Sequence, residues 1–136
     1  MSPARFTVPS SWLRRAAPVL LAVLGGCGGG VYVGWDGRYD DPPEVSLTAS
    51  ATAVPPGTAI RLVAPADDDY GIARVEFYRV DASGRAAWIC DDVRSPYQCD
   101  TVVPDSSNGV VRYYARATDD VGQHTDSNWV SITLLR

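Results

Sequence analysis

The sequence predicts an all-β protein: a sandwich of about seven antiparallel strands, preceded by a cleaved signal peptide and a flexible tether. Three observations carry this reading. From Glu44 onward apolar and polar residues alternate with a period of two. Turn-forming residues recur about every 8–12 positions, the spacing of a sandwich or barrel. Beyond the N-terminal leader no stretch sustains a period of 3.6, so no amphipathic helix is expected. The expected organisation is a signal peptide over 1–26, a tether over 27–43 and the sandwich over 44–136.

The leader carries Arg5, Arg14 and Arg15 with no acid, then an apolar run from Ala16 to Leu24. A basic start, a short apolar stretch and small residues are the layout of a secretory signal. A membrane span needs roughly 20 apolar residues, so this run is too short to cross. Its end, Leu24-Gly25-Gly26-Cys27, resembles the lipobox of bacterial lipoproteins. The resemblance implies a diacylglyceryl group on the Cys27 thiol and cleavage before it, where glycines leave the backbone slim and accessible. Two or more acyl chains, each burying methylenes at about 0.8 kcal/mol, anchor durably where one would not. A plain secretory signal is the alternative. Arg14-Arg15 is flanked by Leu13 and Ala17, a poor match to twin-arginine export, so the general route is expected. Gly28 in place of Asp after the cysteine favours the outer membrane, by resemblance to enterobacterial sorting. The next stretch, "GGGVYVGWDGRYDDPP", has the glycine-rich composition of a flexible spacer; Tyr32, Trp35 and Tyr39 in it are aromatic docking candidates.

Charge narrows the partners. The chain has 16 acids and 12 basic residues, all arginine. Once the leader's three arginines are removed, the net charge is about −7. Nucleic-acid binding calls for a basic stripe, so an acidic domain argues against it, and anionic lipid is an equally poor partner.

Each strand has its own pattern. "EVSLTASA" alternates Val45, Leu47 and Ala49, and "VPPGTAIRLVA" turns at Pro55-Pro56-Gly57 and then alternates Ile60, Leu62 and Ala64. "GIARVEFYRV" places Val75 and Phe77 on one side, Glu76 and Tyr78 on the other; "AAWIC" and "YQCDTVV" are shorter strands. "GVVRYYARAT" sets Val111, Tyr113, Ala115 and Ala117 against Arg112, Tyr114 and Arg116, and "NWVSITLLR" turns Val130, Ile132 and Leu134 inward. About seven strands in about 95 residues is the size of an immunoglobulin-like domain.

The segments "DDDYGIARVEFYRVD", "SPYQCDTVV" and "GVVRYYARATDDVGQHTDSNWVSIT" are similar to bacterial Ig-like domains of extracytoplasmic proteins, and the likeness covers Pro43 to Arg136. Cys90 and Cys99 depart from the family's usual pattern. The resemblance implies the fold and a role as spacer, adhesive or binding module. It carries no catalytic residues, and a fold alone does not fix a function.

With Cys27 lipidated, Cys90 and Cys99 remain, and an exported chain meets an oxidising compartment, so a disulfide between them is expected. A zinc or redox site would need further ligands nearby, and the only histidine, His124, lies in another loop. Two loops share one design, "ADDDYG" and "ATDDVG", and in an Ig-like sandwich both lie at the pole where the tether enters with Asp40 and Asp41. Calcium takes 6–8 oxygen ligands, so Asp67, Asp68, Asp69, Asp119 and Asp120 are its candidate ligands. The competing reading is that these aspartates hold turns through their own backbone while Gly71 and Gly122 supply positive φ. No cofactor is required; calcium is the one the sequence allows.

Strand parity predicts a face. The third, sixth and seventh strands should be neighbours, with Tyr78, Arg112, Tyr114, Arg116, Trp129 and Ser131 outward. Tyr, Trp and Arg are enriched at binding hot spots, and aromatics stack on sugar rings. The competing reading is that they are cross-strand pairs stabilising an exposed sheet. If the face is for binding, Tyr114 and Trp129 should be dispensable for stability. His124 in "GQHTDS" and Ser127 form no nucleophile–base arrangement, so no catalysis is expected. The expected function is therefore non-catalytic binding or adhesion by a lipid-anchored envelope protein with a protein or glycan partner. A periplasmic accessory subunit and a carbohydrate-binding module are the alternatives.

Overall fold

A computed structural model describes residues 39–136. The signal peptide, Cys27 and the tether as far as residue 38 lie outside the described residues. No helix among the described residues is long and apolar enough to cross a membrane.

The domain is two sheets, antiparallel apart from the β3–β11 pair, enclosing one apolar core. Its strands are β1 (Glu44–Val45), β2 (Thr48–Ala49), β3 (Ala53–Val54), β4 (Ala59–Val63), β5 (Ala66–Asp67), β6 (Ile72–Val80), β7 (Ala86–Asp92), β8 (Gln98–Val102), β9 (Val110–Asp119), β10 (His124–Asp126) and β11 (Val130–Leu134). The larger sheet runs β3-β11-β9-β6-β7, with β10 also on β9; the smaller runs β2-β4-β8. Several segments are parts of one strand. Glu44 opposes Asp67 and Thr48 opposes Val63 in a single register, so β1–β2 and β4–β5 are two strands interrupted at Pro65. Proline has no N–H for the ladder, and only its carbonyl pairs, with Ser46 N at 3.1 Å. The eleven segments thus reduce to nine strands, against the seven or so the alternation predicts; the short β3 and β10 are the additions.

Alternation does the packing. Val75 and Phe77 of β6, Tyr113, Ala115 and Ala117 of β9, and Ile132 of β11 are fully buried, and Leu47, Ile60 and Leu62 meet them from the other sheet. Each such large aliphatic or aromatic side chain contributes about 1.5–3 kcal/mol by leaving water. Tyr97, from the expected "PY" strand start, also lies in this core, and its carbonyl accepts the Ala64 N–H at 2.9 Å. Near the N-terminus the compact unit begins at Asp40. Pro43 is fully buried, and Gln123 Nε2 donates to the Asp40 carboxylate at 2.7 Å. The tether expected to run to residue 43 is therefore part of the domain from residue 40.

Cys90 of β7 and Cys99 of β8 form the expected disulfide, with Cα atoms 6.4 Å apart. Since β7 edges the larger sheet and β8 the smaller, the bond staples the two layers at one side. Closing so short a loop contributes roughly 2–3 kcal/mol in the chain-entropy treatment. Replacing both cysteines by alanine should lower stability by about that amount without changing the far-ultraviolet circular dichroism of the folded state. An unchanged melting temperature would show that the staple adds nothing.

Candidate functional site

Two β-bulges build the outward face of the larger sheet. Between β6 and β7 the register pairs Phe77 with Cys90 but Tyr78 with Trp88, leaving Ile89 as an extra residue. A bulge inserts one residue and re-aims the side chains beyond it. Without it Trp88 would share the inward side with Cys90; with it Trp88 stands opposite outward Tyr78 and is 56 % exposed. A second shift separates β10, where Asp126 opposes Arg116, from β11, where Val130 opposes Tyr113. Here Ser127 is inward and Asn128 is the extra residue. Asn128 accepts the Leu47 N–H at 2.9 Å through Oδ1 and donates to the Leu47 carbonyl at 3.0 Å through Nδ2. That pair of bonds joins the two layers and leaves Trp129 facing out.

Of the residues expected on this face, Tyr78, Arg112, Tyr114, Arg116 and Trp129 are there and touch, and Ser131 stands opposite Arg112. Tyr78 and Tyr114 are directly opposed, their rings stacked at 4.9 Å with 7° between planes. Trp129 stacks on Tyr114 at 6.2 Å and 17°. The Arg116 guanidinium lies 5.7 Å from the Tyr78 ring centre and that of Arg112 lies 6.0 Å from Trp129. A ring separation near the strand spacing of about 4.8 Å means the rings stand upright and cover each other's faces. Stacked pairs contribute roughly 0.5–1.5 kcal/mol beyond burial, and each cation–π contact roughly 0.5–1 kcal/mol. Arg116 also donates to Asp126 through Nε at 2.6 Å and Nη2 at 3.0 Å. This bond holds the Asp126 carboxyl below the usual carboxylate range and raises the Arg116 guanidinium. Desolvation pushes both tyrosine hydroxyls up. Tyr114 is only 9 % exposed, which corrects the expectation that it is dispensable for stability. Covered on both ring faces, it is part of the packing, while Trp129 remains 54 % exposed. Trp88 carries no hydrophobic-alternation signal, because the bulge at Ile89 inverts its side.

At one pole the loop after β5 and the β9–β10 turn meet, as their shared design suggests, and Gly71 and Gly122 both take positive φ. Asp68 Oδ2 accepts the N–H groups of Tyr70 and Gly71 at 2.9 and 3.0 Å. Asp119 Oδ1 accepts those of Val121 and Gln123 at 2.9 and 2.8 Å. These are the expected turn-holding bonds. The acids that converge, however, are Asp40, Asp68 and Asp119, whose ligand oxygens lie within 4.8 Å of one another. Asp67, Asp69 and Asp120 are not in this group, which corrects the candidate calcium set. Asp67 neighbours Asp68 in extended backbone, where neighbours point to opposite sides, while Asp69 and Asp120 lie where the chain bends away; all three are exposed. The Asp69 carboxyl is shifted upward by desolvation first and then by the charges of Asp68, Asp40 and Asp41, against its own backbone hydrogen bond.

His124 is exposed and opens β10 opposite Thr118 rather than sitting in a turn. Ser127 is buried, its Oγ accepting the Ala115 N–H at 2.9 Å and donating to the Asn128 carbonyl at 2.8 Å. Its hydroxyl is committed to the bulge. For the aromatic stack the expected outcome is asymmetric. Tyr114→Ala should cost about 2 kcal/mol or more, a fall of roughly 8 °C or more in Tm. Trp129→Ala should cost under about 1 kcal/mol, the scale of a single stacking contact at an exposed site. Thermal melts of the two variants check this, and equal effects would contradict the stacked arrangement.

The sequence profile of the bacterial Ig domain matches residues 43–125. No curated protein matches the chain. Among solved structures, the fibronectin(III)-like modules of Clostridium thermocellum CbhA superpose with a TM-score of 0.55 at 19 % identity, covering 67 % of this chain and 94 % of that one. The PKD domain of an M14-like peptidase from Thermoplasmatales archaeon SCGC AB-540-F20 gives 0.49 at 19 % identity, covering 72 % and 100 %. The first of these likenesses concerns the fold, which agrees with the two-sheet architecture, and the profile match spans most of the folded unit: the chain belongs to the bacterial Ig domain family.

Proposed function

We propose that this chain is a non-catalytic envelope lipoprotein, anchored by acyl chains on Cys27, and that it is a binding module whose partner meets the outward face between Trp88 and Trp129. The observation that carries this reading is the pair of half-exposed tryptophans at the two ends of a row that is otherwise packed against itself. Exposed Trp beside Arg is the composition of an interaction hot spot, and Trp88 has no ring or cation partner among the described residues. A protein partner fits this face better than a glycan. Sugar stacking needs open ring faces, and those of Tyr78 and Tyr114 are occupied by each other and by Arg116 and Trp129. The family's use in extracytoplasmic proteins supports a place outside the cytoplasm.

Two experiments test the two halves. Cys27→Ser should move the protein from the membrane fraction to the soluble envelope fraction; retention in the membrane would remove the lipid anchor from the reading. A photo-crosslinking residue at Trp88 should give protein adducts in intact cells, lost when Trp129→Ala is added, while the same residue at exposed Arg61 on the opposite sheet gives none. Adducts of equal strength at both positions would defeat the proposed face. Retention on isolated cell-wall polysaccharide, abolished by Trp88→Ala, would transfer the reading to a glycan.

A further inference from the structure

Three carboxylates meet at the pole, and each is only half used. Turn-holding and the Gln123 contact employ Asp68 Oδ2, Asp119 Oδ1 and Asp40 Oδ2. The other oxygens, Asp40 Oδ1, Asp68 Oδ1 and Asp119 Oδ2, are buried without a hydrogen-bond partner. An aspartate that merely holds a turn needs one oxygen, so the turns do not account for the second. Asp119 is 2 % exposed, and none of the ion pairs among the described residues reaches any of the three. A buried charged group without a counter-charge is strongly unfavourable, and three within 4.8 Å of one another add mutual repulsion. A cation at their centre removes both penalties.

We infer that Asp40, Asp68 and Asp119 form a calcium site that ties the first residue of the compact unit to the loops after β5 and β9. The ligand set favours calcium over magnesium. Calcium accepts carboxylates together with backbone carbonyls in a flexible shell, whereas magnesium demands a near-ideal octahedron and keeps several of its waters. Three carboxylates leave room in a shell of about 6–8 oxygens for water or carbonyls. Asp41, Asp67, Asp69 and Asp120, all exposed and adjacent in the chain, add negative potential that draws a cation in. Sites in extracellular modules bind at about 10⁻⁴–10⁻³ M, so this one is filled outside the cell and vacant in the cytosol. The ligands come from three separate segments, so the ion acts as a crosslink. The inference is independent of the partner-binding face, which lies on the sheet rather than the pole.

The test is thermal melting of the full chain in detergent, in chelator, in about 10 mM calcium and in about 10 mM magnesium, well above the affinity range of such sites, with calcium titration calorimetry alongside. The wild type should gain several degrees in calcium and little in magnesium. Asp119→Asn keeps the turn-holding oxygen and removes one charge. It should therefore melt above the wild type in chelator and below it in calcium, a reversal that a purely structural role would not produce. Asp40→Asn, at a less buried position, should weaken calcium binding at least tenfold and decides the matter if Asp119→Asn does not fold. Identical melting of the wild type in chelator and calcium, an equal gain in magnesium, or undiminished binding by Asp40→Asn would each overturn the assignment.

Discussion

The pleat of β9 is the constraint on which the domain is built. It is the central strand of the larger sheet, paired with β6 on one side and with β10 and β11 on the other. Its inward residues, Val111, Tyr113, Ala115 and Ala117, are all buried, and two of them are alanines. Small side chains there let the opposite layer approach, and the large Tyr113 fills the space beside them. Its outward residues, Arg112, Tyr114 and Arg116, order the aromatic row. A shift by one residue would exchange the two sets, placing arginines in the core, so the register is held from both faces at once.

Stability and presentation are divided along the outward face. The middle of the row is sealed: Tyr78 and Tyr114 cover each other, and Arg116 is fixed by its bidentate bond to Asp126. The ends are open, and they are open because of the two bulges. The same insertion at Ile89 lets Cys90 reach Cys99 between the layers while Trp88 faces solvent. The insertion at Asn128 ties the layers through Leu47 while releasing Trp129. In both places one extra residue serves a layer-to-layer bond and an exposed tryptophan together.

Wherever period two runs unbroken, the fold was legible in the sequence. The inward residues of β4, β6, β9 and β11, the Cys90–Cys99 bond and the meeting of the two aspartate loops all accord with alternation, turn chemistry and the family likeness. The features that escaped lie where alternation stops or a contact is remote. Trp88 is inverted by a bulge that has no sequence mark, since Ile89 is as good a strand residue as its neighbours. Parity within "DDDYG" and "TDDVG" selects Asp68 and Asp119, but only if the phase of the strand entering each loop is known to the residue. Asp40 joins them through Gln123, a contact spanning most of the domain that no local pattern announces. The burial of Tyr114 reflects the spacing of rings across strands rather than the side of the strand it occupies.

The pairing of β3 with β11 has a consequence for how the domain comes into being. It is the parallel pair, with Ala53 opposite Thr133 and Val54 opposite Leu134, and it joins the beginning of the fold to its end. Contacts so distant in the chain meet their loop-closure entropy late. A chain emerging N-terminus first forms the β6–β7 hairpin and its β9 partner with local segments already in hand. The β3 edge, by contrast, stays unpaired until the last strand arrives. Assembly of the domain therefore ends with β11, and until then the unpaired β3 segment is the one most open to a wrong neighbour.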